Sequence, residues 1–337
     1  MVEVDAISRA ILKAMSENCR RSLSSLAAEL HCAPKTLKKK LAKLEEEYGI
    51  RYTLELNEHE LDLDATYLIR VKFSKPPEDT KLRAALNKYP TVQFAALTKG
   101  DFDLVLYTVS KTSLDFARWA NFFRQALSEY IEHWEAGIIT GFWFGFFVLG
   151  DEVVENLDIE HVEKVMLRAL VRNARTPLNE LARKAGVPIS TAQYHLKKIL
   201  SSKAVKRATI VMTKPPLMVH HISTYHYRMT ADFLRRDVGG RELITSEGGY
   251  EPMNRLLLMF NIEGGDCDDV LFYSLNDPTE AQAFQTEMRT RFGKELKANP
   301  SAIVMDVVKG NLPCRKLNVK TEYNTKFMDI YDLMSKD

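Results

Sequence analysis

The sequence contains the same pattern twice, and this repeat limits the architectures that the chain can adopt. A set of six residues in the first half returns in the second half with identical internal spacing: Asn18, Arg20, Leu26, Ala27, Thr36 and Leu41 correspond to Asn173, Arg175, Leu181, Ala182, Thr191 and Leu196. Further along, the segment beginning Gly100–Asp101 returns as Gly265–Asp266. Solenoid repeats are usually about 20–50 residues long, so a period this long indicates a duplicated module. We expect two diverged copies of one function.

Length and charge are typical of a globular protein with several domains. The chain has 337 residues and a net charge of +2, so a nucleic-acid surface would have to come from local clusters of basic residues. The four cysteines have no metal-ligand spacing and predict reduced thiols in a cytoplasmic protein. The apolar run Gly137–Gly150 is shorter than the ~18–20 residues of a membrane helix, and it favours a buried strand.

Each copy begins with a pattern of three short helices and a strand, which is typical of a winged helix-turn-helix domain. In the first copy the predicted elements are the helices Asp5–Met15, Ser25–Leu30 and Pro34–Tyr48 and the strand Ile50–Leu56. In the second copy they are the helices Val162–Val171, Leu178–Ala185 and Ser190–Ser202 and the strand Val205–Met212.

The rest of each copy alternates strands and helices in the order of the ferredoxin-like motif, β-α-β-β-α-β. In the first copy the predicted elements are Thr66–Phe73, Thr80–Lys88, Val92–Leu97, Asp103–Val109, Ser113–His133 and Ile138–Leu149. In the second copy the strands are Ser223–Thr230, Leu256–Phe260, Val270–Ser274 and Ile303–Val308, and the long helix is Pro278–Leu296. Two Gly-Gly pairs between Ala231 and Arg255 predict a loop-rich segment in place of this copy's first helix.

The sequence therefore predicts an α+β chain with two winged helix-turn-helix domains and two ferredoxin-like domains in tandem. The predicted boundaries are 1–62 and 63–150 for the first copy, 151–160 for an acidic linker, 161–218 and 219–312 for the second copy, and 313–337 for a polar tail with a short helix near Lys326–Met334.

The third helix of a winged helix-turn-helix enters the major groove of duplex DNA. In the first copy its candidate DNA-binding residues are Lys35, Thr36, Lys38, Lys39, Lys40 and Lys43. Lysines neutralise phosphates and give affinity more than sequence choice, although they are also common on any solvated helix. In the second copy the candidates are Ser190, Thr191, Gln193, Tyr194, His195, Lys197 and Lys198. Glutamine can bond adenine bidentately, and serine and threonine contact several base edges, so this helix is predicted to read bases unless it is simply a polar, exposed helix.

No catalytic or metal-binding motif stands out, since the sequence has no P-loop, GxSxG, HExxH or metal-spaced cysteines. The histidine group worth weighing is His220, His221 and His226, of which the first and last would share one face of a strand. Packing or surface positions for these histidines are the simpler interpretation. The sequence thus predicts a protein that is not an enzyme and has no cofactor and no metal.

The run from Asn173 to Lys198 resembles the DNA-binding domain of Lrp/AsnC (feast/famine) transcription regulators. The β-α-β-β-α-β segments with Gly-Asp-x-Asp before an apolar strand are similar to that family's ligand-sensing and dimerisation (RAM) domain. The resemblance implies binding to double-stranded DNA and modulation by an amino acid or another small molecule. Effector-binding residues carried over from the family would be Thr98, Gly100, Asp103, Gly265 and Asp268. A purely turn-forming role of the two Gly-Asp pairs is the alternative.

Family members pair through their sensing domains, so two fused copies can form this pair within one chain. The strand Phe142–Phe147 and its counterpart Ile303–Val308 would then bury against one another or against a second chain. Such a pseudo-dimer has two unlike recognition helices and should prefer an asymmetric site, or else form a homodimer or higher oligomer through the sensing domains.

Siroheme decarboxylases also resemble paired Lrp-like halves, and they provide the alternative function. They would make the chain an enzyme whose histidine and arginine side chains engage a tetrapyrrole, in the stretch His220–Arg228. The lysine-rich first recognition helix weighs against this interpretation. A third possibility is an architectural or protein-docking module that has lost specific DNA reading.

Overall fold

The computed structural model describes residues 5–155, 157–214, 219–228, 256–275 and 277–314. The first copy contains α1 (Ala6–Glu17), α2 (Leu23–Glu29), α3 (Pro34–Tyr48), β1 (Ile50–Leu56), β2 (Ala65–Phe73), α4 (Asp79–Asn87), β3 (Val92–Gly100), β4 (Leu104–Ser110), α5 (Ser113–Ala126) and β5 (Ile131–Phe144). We call the unit α1–α3 with β1 the first head. Among the described residues, no helix combines the length and the apolar character that crossing a membrane requires.

The second copy repeats this order. It contains α6 (Asp151–Glu155), α7 (His161–Arg172), α8 (Leu178–Ala185), α9 (Ile189–Ser201), β6 (Val205–Met212), β7 (Val219–Tyr227), β8 (Leu256–Glu263), β9 (Asp269–Leu275), α10 (Pro278–Phe292), β10 (Leu296–Ala298) and β11 (Ser301–Lys309). We call α7–α9 with β6 the second head. The loop-rich segment predicted between residues 231 and 255 and the tail helix near 326–334 lie outside the described residues.

Several boundaries differ from those that the sequence predicts: the strand predicted over Ile138–Leu149 ends at Phe144, and the helix predicted over Pro278–Leu296 ends at Phe292. The helix predicted over Ser113–His133 ends at Ala126, and β5 begins at Ile131. The stretch after Ile131 is strand because it pairs with β2 in antiparallel register, a partner that local apolar spacing does not reveal. The segment predicted as an acidic linker contains α6, where Asp151 forms an ion pair with Arg172 at 2.7 Å.

The two heads are joined through their wing strands. Strands β1 and β6 pair antiparallel, with Thr53 opposite Thr209. The Thr53 hydroxyl donates to the Val171 carbonyl at 2.8 Å, and the Thr209 hydroxyl donates to the Ser16 carbonyl at 2.7 Å. Each threonine thus ties its strand to the first helix of the other head, and the two bonds are equivalent under an approximate two-fold axis between the heads.

The remaining strands form a closed antiparallel barrel of eight strands, in the order β7-β11-β3-β4-β2-β5-β8-β9 and back to β7. The last strand of each copy crosses into the sheet of the other copy, since β5 pairs with β2 and then with β8 and β11 pairs with β7 and then with β3. The two copies therefore pair within one chain. The strands around Phe142 and Ile303 do not pair with each other, because each bonds to a strand of the opposite copy.

Three apolar regions hold these layers together. The first copy's helices α4 and α5 cover one face of its sheet through residues such as Trp119 and Phe123. Helix α10 covers the second copy's sheet through Phe284 and Met288. The barrel interior and the heads share one continuous core, which contains the buried aromatic residues Phe94, Tyr107, Phe147, Phe260 and Phe272.

One buried cation lies where the two copies meet inside the barrel. The Arg70 side chain on β2 is 7% exposed, and it forms an ion pair with Glu135 on β5, whose side chain is 14% exposed. Its Nη1 also donates to the Thr224 hydroxyl on β7 at 2.6 Å. This guanidinium therefore links the sheet of one copy to that of the other.

Candidate nucleic-acid interface

Helix α3 presents its lysines to solvent because its leucines form the opposite, buried face. Pro34 occupies the first turn, and Gly49 ends the helix in the left-handed conformation at φ 57°, as expected for a glycine stop. Leu37, Leu41 and Leu44 are buried. The candidates Lys35, Thr36, Lys38, Lys39 and Lys43 are all exposed, and Lys40 is half-buried.

Helix α9 presents a face of different chemistry. Ser190, Gln193, Tyr194 and Lys197 are exposed, and their spacing of i, i+3, i+4 and i+7 places them on one side of the helix. Tyr194 is 66% exposed, so its ring is accessible to a binding partner. Thr191 is half-buried.

His195 does not lie on that exposed face, although the sequence placed it among the base-reading candidates. It is buried, and its Nδ1 lies 3.2 Å from a Glu163 carboxylate oxygen on α7. Lys198 approaches the same carboxylate at 2.5 Å and Glu160 at 3.2 Å. Burial opposes ionisation of Glu163, but the hydrogen bonds from Lys198 and His195 hold its pKa below the usual range. Both side chains therefore anchor α9 to α7.

The first head has an equivalent anchor. Residue n of the first head corresponds to residue n + 155 of the second, as Asn18 does to Asn173, so Lys40 and Asp5 correspond to His195 and Glu160. The Lys40 ammonium lies 2.9 Å from an Asp5 carboxylate oxygen, and this hydrogen bond lowers the pKa of Asp5. Each recognition helix is thus held by the start of its own head's first helix.

The aspartates of the two Gly-Asp loops form hydrogen bonds to neighbouring strands. The Asp103 carboxylate accepts from the Phe73 backbone N–H at 2.9 Å and from the Lys72 ammonium at 3.0 Å. The Asp268 carboxylate likewise accepts from the Tyr227 backbone N–H at 2.6 Å, and His226 lies 3.0 Å from it. These carboxylates are engaged in the fold, so an effector ammonium would have to compete for them. The effector role stays a prediction.

The other effector candidates also make local contacts. The Thr98 hydroxyl donates to the Phe102 carbonyl at 2.7 Å. Gly100 passes close to the Ser301 carbonyl, and Gly265 lies beside the Glu135 carboxylate. Both glycines have a positive φ, 154° and 119°, a conformation that side chains disfavour.

Two groups of side chains have metal-ligand chemistry within the described part of the chain. Glu160, Glu163 and His195 form one group, and their ligand atoms lie within 4.8 Å of one another. The Lys198 ammonium already sits between these carboxylates. The second group is His133, Glu135 and Asp266, in which Arg70 is paired with the Glu135 carboxylate. In both groups a protein cation already neutralises a carboxylate.

A layer of polar side chains lies between the second copy's sheet and α10. We call His221, Ser223, Tyr225 and Tyr273 the second-copy polar layer. The His221 and Tyr273 rings lie 4.9 Å apart, the Ser223 and Tyr273 hydroxyls are 2.8 Å apart, and Tyr273 packs on Phe284 of α10. This layer is buried throughout.

The first copy has fewer polar side chains at the same position, where Thr108 lies opposite Tyr67 as Tyr273 lies opposite His221. Phe73 and Tyr227 are equivalent, since each donates its backbone N–H to the loop aspartate. The residues that correspond to His221, Ser223 and Tyr225 are then Tyr67, Ile69 and Val71, which pack in the first copy's core. The sequence singled out His220, His221 and His226 and the stretch His220–Arg228, but it did not show that Tyr273 joins them. The available signal was the alternation of polar residues along β7.

The pH dependence of stability should report the burial of His221. An exposed histidine takes up a proton near pH 6.5, whereas burial lowers the pKa of His221 to about 4. The unfolded chain therefore binds more protons between these two values, and the free energy of unfolding falls as the pH falls through this window. The full difference in pKa corresponds to about 3 kcal/mol of free energy of unfolding.

We expect His221→Phe to remove most of this pH dependence, measured by urea denaturation at about pH 7 and pH 4.5. The matched control is His133→Phe, because His133 is exposed on β5. This variant should show the same pH dependence of stability as the unaltered chain. Parallel pH profiles for the unaltered chain and His221→Phe would contradict the burial of a neutral imidazole.

The geometry of the heads agrees with known DNA-binding domains. Residues 4–45 match the AsnC-type helix-turn-helix domain. Residues 161–201 match a winged helix-turn-helix DNA-binding domain. Both heads are helix-turn-helix domains, the first of AsnC type. The resemblance to Lrp/AsnC transcription regulators is thereby confirmed for the AsnC-type head, and the second head is confirmed as a winged helix-turn-helix.

Two solved structures of one enzyme share the fold over nearly the whole chain. The siroheme decarboxylase NirDL matches with a TM-score of 0.60 at 14% identity, over 98% of this chain and 99% of that chain. NirDL in complex with an iron-uroporphyrin III analogue matches with a TM-score of 0.59 at 14% identity, over 97% and 99%. AsnC from E. coli matches with a TM-score of 0.38 at 19% identity, over 41% of this chain and 93% of that one. No curated protein sequence matches the chain.

The NirDL matches confirm the α+β fold, and the family models confirm the two helix-turn-helix heads. The NirDL matches also correct one prediction. The prediction that the chain is not an enzyme is wrong, because the fold that spans 98% of it is also the fold of a siroheme decarboxylase.

Proposed function

We propose that this protein is a transcription regulator that binds double-stranded DNA with both heads at once. The observation that carries the proposal is the pair of recognition helices, each with a solvent-exposed face and an anchor to its own head. The exposed lysines of α3 supply attraction to phosphates. The exposed Gln193 and Tyr194 of α9 supply groups that can contact base edges.

The pairing of the two copies supports the same proposal. The heads of this chain are similar to those of Lrp/AsnC regulators. Those regulators pair through their sensing domains. In this chain the closed barrel already joins the two copies, so one chain presents both recognition helices. We propose that a small-molecule effector modulates this two-headed unit and that whole chains associate into homodimers.

Two alanine substitutions should separate the roles of the heads. Lys39→Ala should weaken binding to all duplexes about equally and reduce the slope of log K against log salt by about 1. Gln193→Ala should cost about 1–3 kcal/mol of binding free energy, mainly on the preferred sequence. Both side chains are exposed, so neither change should affect folding.

The measurement is a titration of each variant against the preferred duplex and against a random duplex, at several salt concentrations. Glu46→Ala, an exposed position on α3 outside the proposed contact face, is the matched control. Equal losses on specific and random DNA for Lys39→Ala and Gln193→Ala would contradict the assigned roles.

The second-copy polar layer favours a second candidate function, a reaction on a tetrapyrrole such as siroheme. NirDL is a siroheme decarboxylase with the same fold. Burial lowers the pKa of His221 to about 4, so its imidazole is neutral at pH 7 and can ligate iron or accept a proton. The hydroxyls of Ser223 and Tyr273 lie beside it. The first copy has Tyr67 in place of His221, so it offers no imidazole at this position.

An absorption titration tests this candidate. Added siroheme should change its absorption spectrum on binding to the full chain, and His221→Phe should abolish the change while His133→Phe keeps it. A spectrum that the unaltered chain leaves unchanged would remove the enzyme candidate and leave the DNA-binding proposal untouched.

A further inference from the structure

The recognition faces of the two heads can be compared position by position. The correspondence n + 155 holds along both helices, with Thr36 equivalent to Thr191. The positions of the exposed face on α9 then pair with four positions on α3: Ser190 with Lys35, Gln193 with Lys38, Tyr194 with Lys39, and Lys197 with Ala42. All eight residues are exposed.

The chemistry of the two faces differs at every one of these positions. The first face carries three lysines, whose flexible ammonium groups act as point charges and mainly contact phosphates. The second face carries an amide that can bond adenine bidentately, a hydroxyl and an exposed aromatic ring that can contact a thymine methyl. Sequence information can therefore enter mainly through α9.

The structure also fixes the two faces relative to each other. In many winged helix-turn-helix proteins the wing is free to approach DNA, but here β1 and β6 pair with each other. The backbone N–H of Cys19 donates to the Ala208 carbonyl at 2.9 Å, and that of Ala174 donates to the Tyr52 carbonyl at 3.1 Å. Together with the hydrogen bonds of Thr53 and Thr209, these bonds hold the two heads in one relative orientation.

We infer that the DNA partner of this chain is a duplex with a single specified half-site, contacted by α9, and a neighbouring stretch of unspecified sequence on one fixed side, covered by α3. The chain then binds its site in one orientation. This inference rests on the proposed DNA-binding function and goes beyond it, because a two-headed regulator with two reading helices would instead require two specified half-sites.

The test transplants the second face onto the first. The full chain carrying Lys35→Ser, Lys38→Gln, Lys39→Tyr and Ala42→Lys is compared with the unaltered chain in selection of bound fragments from random duplex DNA. The unaltered chain should return a motif on one side only, and the variant should return the same motif twice as an inverted repeat. The variant has two fewer lysines on α3, so its slope of log K against log salt should fall by about 2.

A second variant, with the reverse change on α9, tests the inference even if the first variant does not fold. The full chain carrying Gln193→Lys and Tyr194→Lys should retain duplex DNA at low salt but return no motif. A palindromic motif from the unaltered chain, or a motif that survives the reverse change, would overturn the inference while leaving the regulator proposal in place. A complete lack of retention of the unaltered chain on DNA at low salt would overturn the regulator proposal itself.

Discussion

Arg70→Ala should lower the free energy of unfolding by about 3–5 kcal/mol, as expected when one partner of a buried ion pair is removed. Arg70 and Glu135 are both largely buried, so the substitution leaves an uncompensated carboxylate inside the protein. It also removes the hydrogen bond from Arg70 to Thr224, which joins the two copies at 2.6 Å. The measurement is denaturant unfolding of the full chain, followed by circular dichroism.

A second substitution separates the charge from the packing. Glu135→Gln in the Arg70→Ala background neutralises the stranded carboxylate and should recover part of the lost stability. Arg83→Ala is the matched control, because Arg83 pairs with Asp79 on an exposed helix surface, where such pairs contribute about 0–1 kcal/mol. A loss for Arg70→Ala no larger than that for Arg83→Ala would contradict the buried position of this cation.

Gly100→Ala should destabilise the chain by about 3 kcal/mol or more, because it combines overpacking with backbone strain. Gly100 has φ +154°, and a Cβ there would overlap the Ser301 carbonyl oxygen and lie 2.8 Å from Ala302 Cα. Both contacts are backbone atoms of β11, which cannot rotate away. Since β11 belongs to the other copy, the clash disrupts the packing between the two copies.

Gly264→Ala provides the control for this prediction. Gly264 has φ +76°, and no described atom lies within 4 Å of a Cβ built on it. This change adds strain without a clash, so it should cost about 1 kcal/mol. The comparison uses thermal and denaturant unfolding of both variants. Equal losses for the two glycines would contradict the close approach of β3 and β11.

The heads could be predicted from the sequence because their signals are local. The leucine spacing of α3, the proline at its start and the glycine at its end specify a helix without reference to the rest of the chain. Ser22 is a residue type typical of N-caps, and in the structure its hydroxyl accepts from the Ser25 N–H at 3.1 Å at the start of α2. The β-α-β-β-α-β order of the first copy followed from the same kind of local pattern.

The closure of the barrel could not be predicted, because it depends on pairing between strands far apart in sequence. Alternation along β5 indicates a strand, but it does not identify β8 as the second partner. The burial of His195 has a similar origin: its partner Glu163 lies on α7, and helix spacing on α9 alone does not reveal it. His221 was among the histidines that the sequence singled out, but its contact with Tyr273 depends on the register of β7 and β9.

The central claim is that one chain holds two helix-turn-helix heads on a single duplex, and footprinting of the full chain on a duplex that it selects tests this most directly. We predict two protected stretches on one face of the DNA, in successive major grooves about 10 base pairs apart. The Gln193→Ala variant should no longer protect the specified stretch. The Lys39→Ala variant should protect the neighbouring stretch more weakly. A single protected stretch, or none, would contradict the claim that both heads bind together.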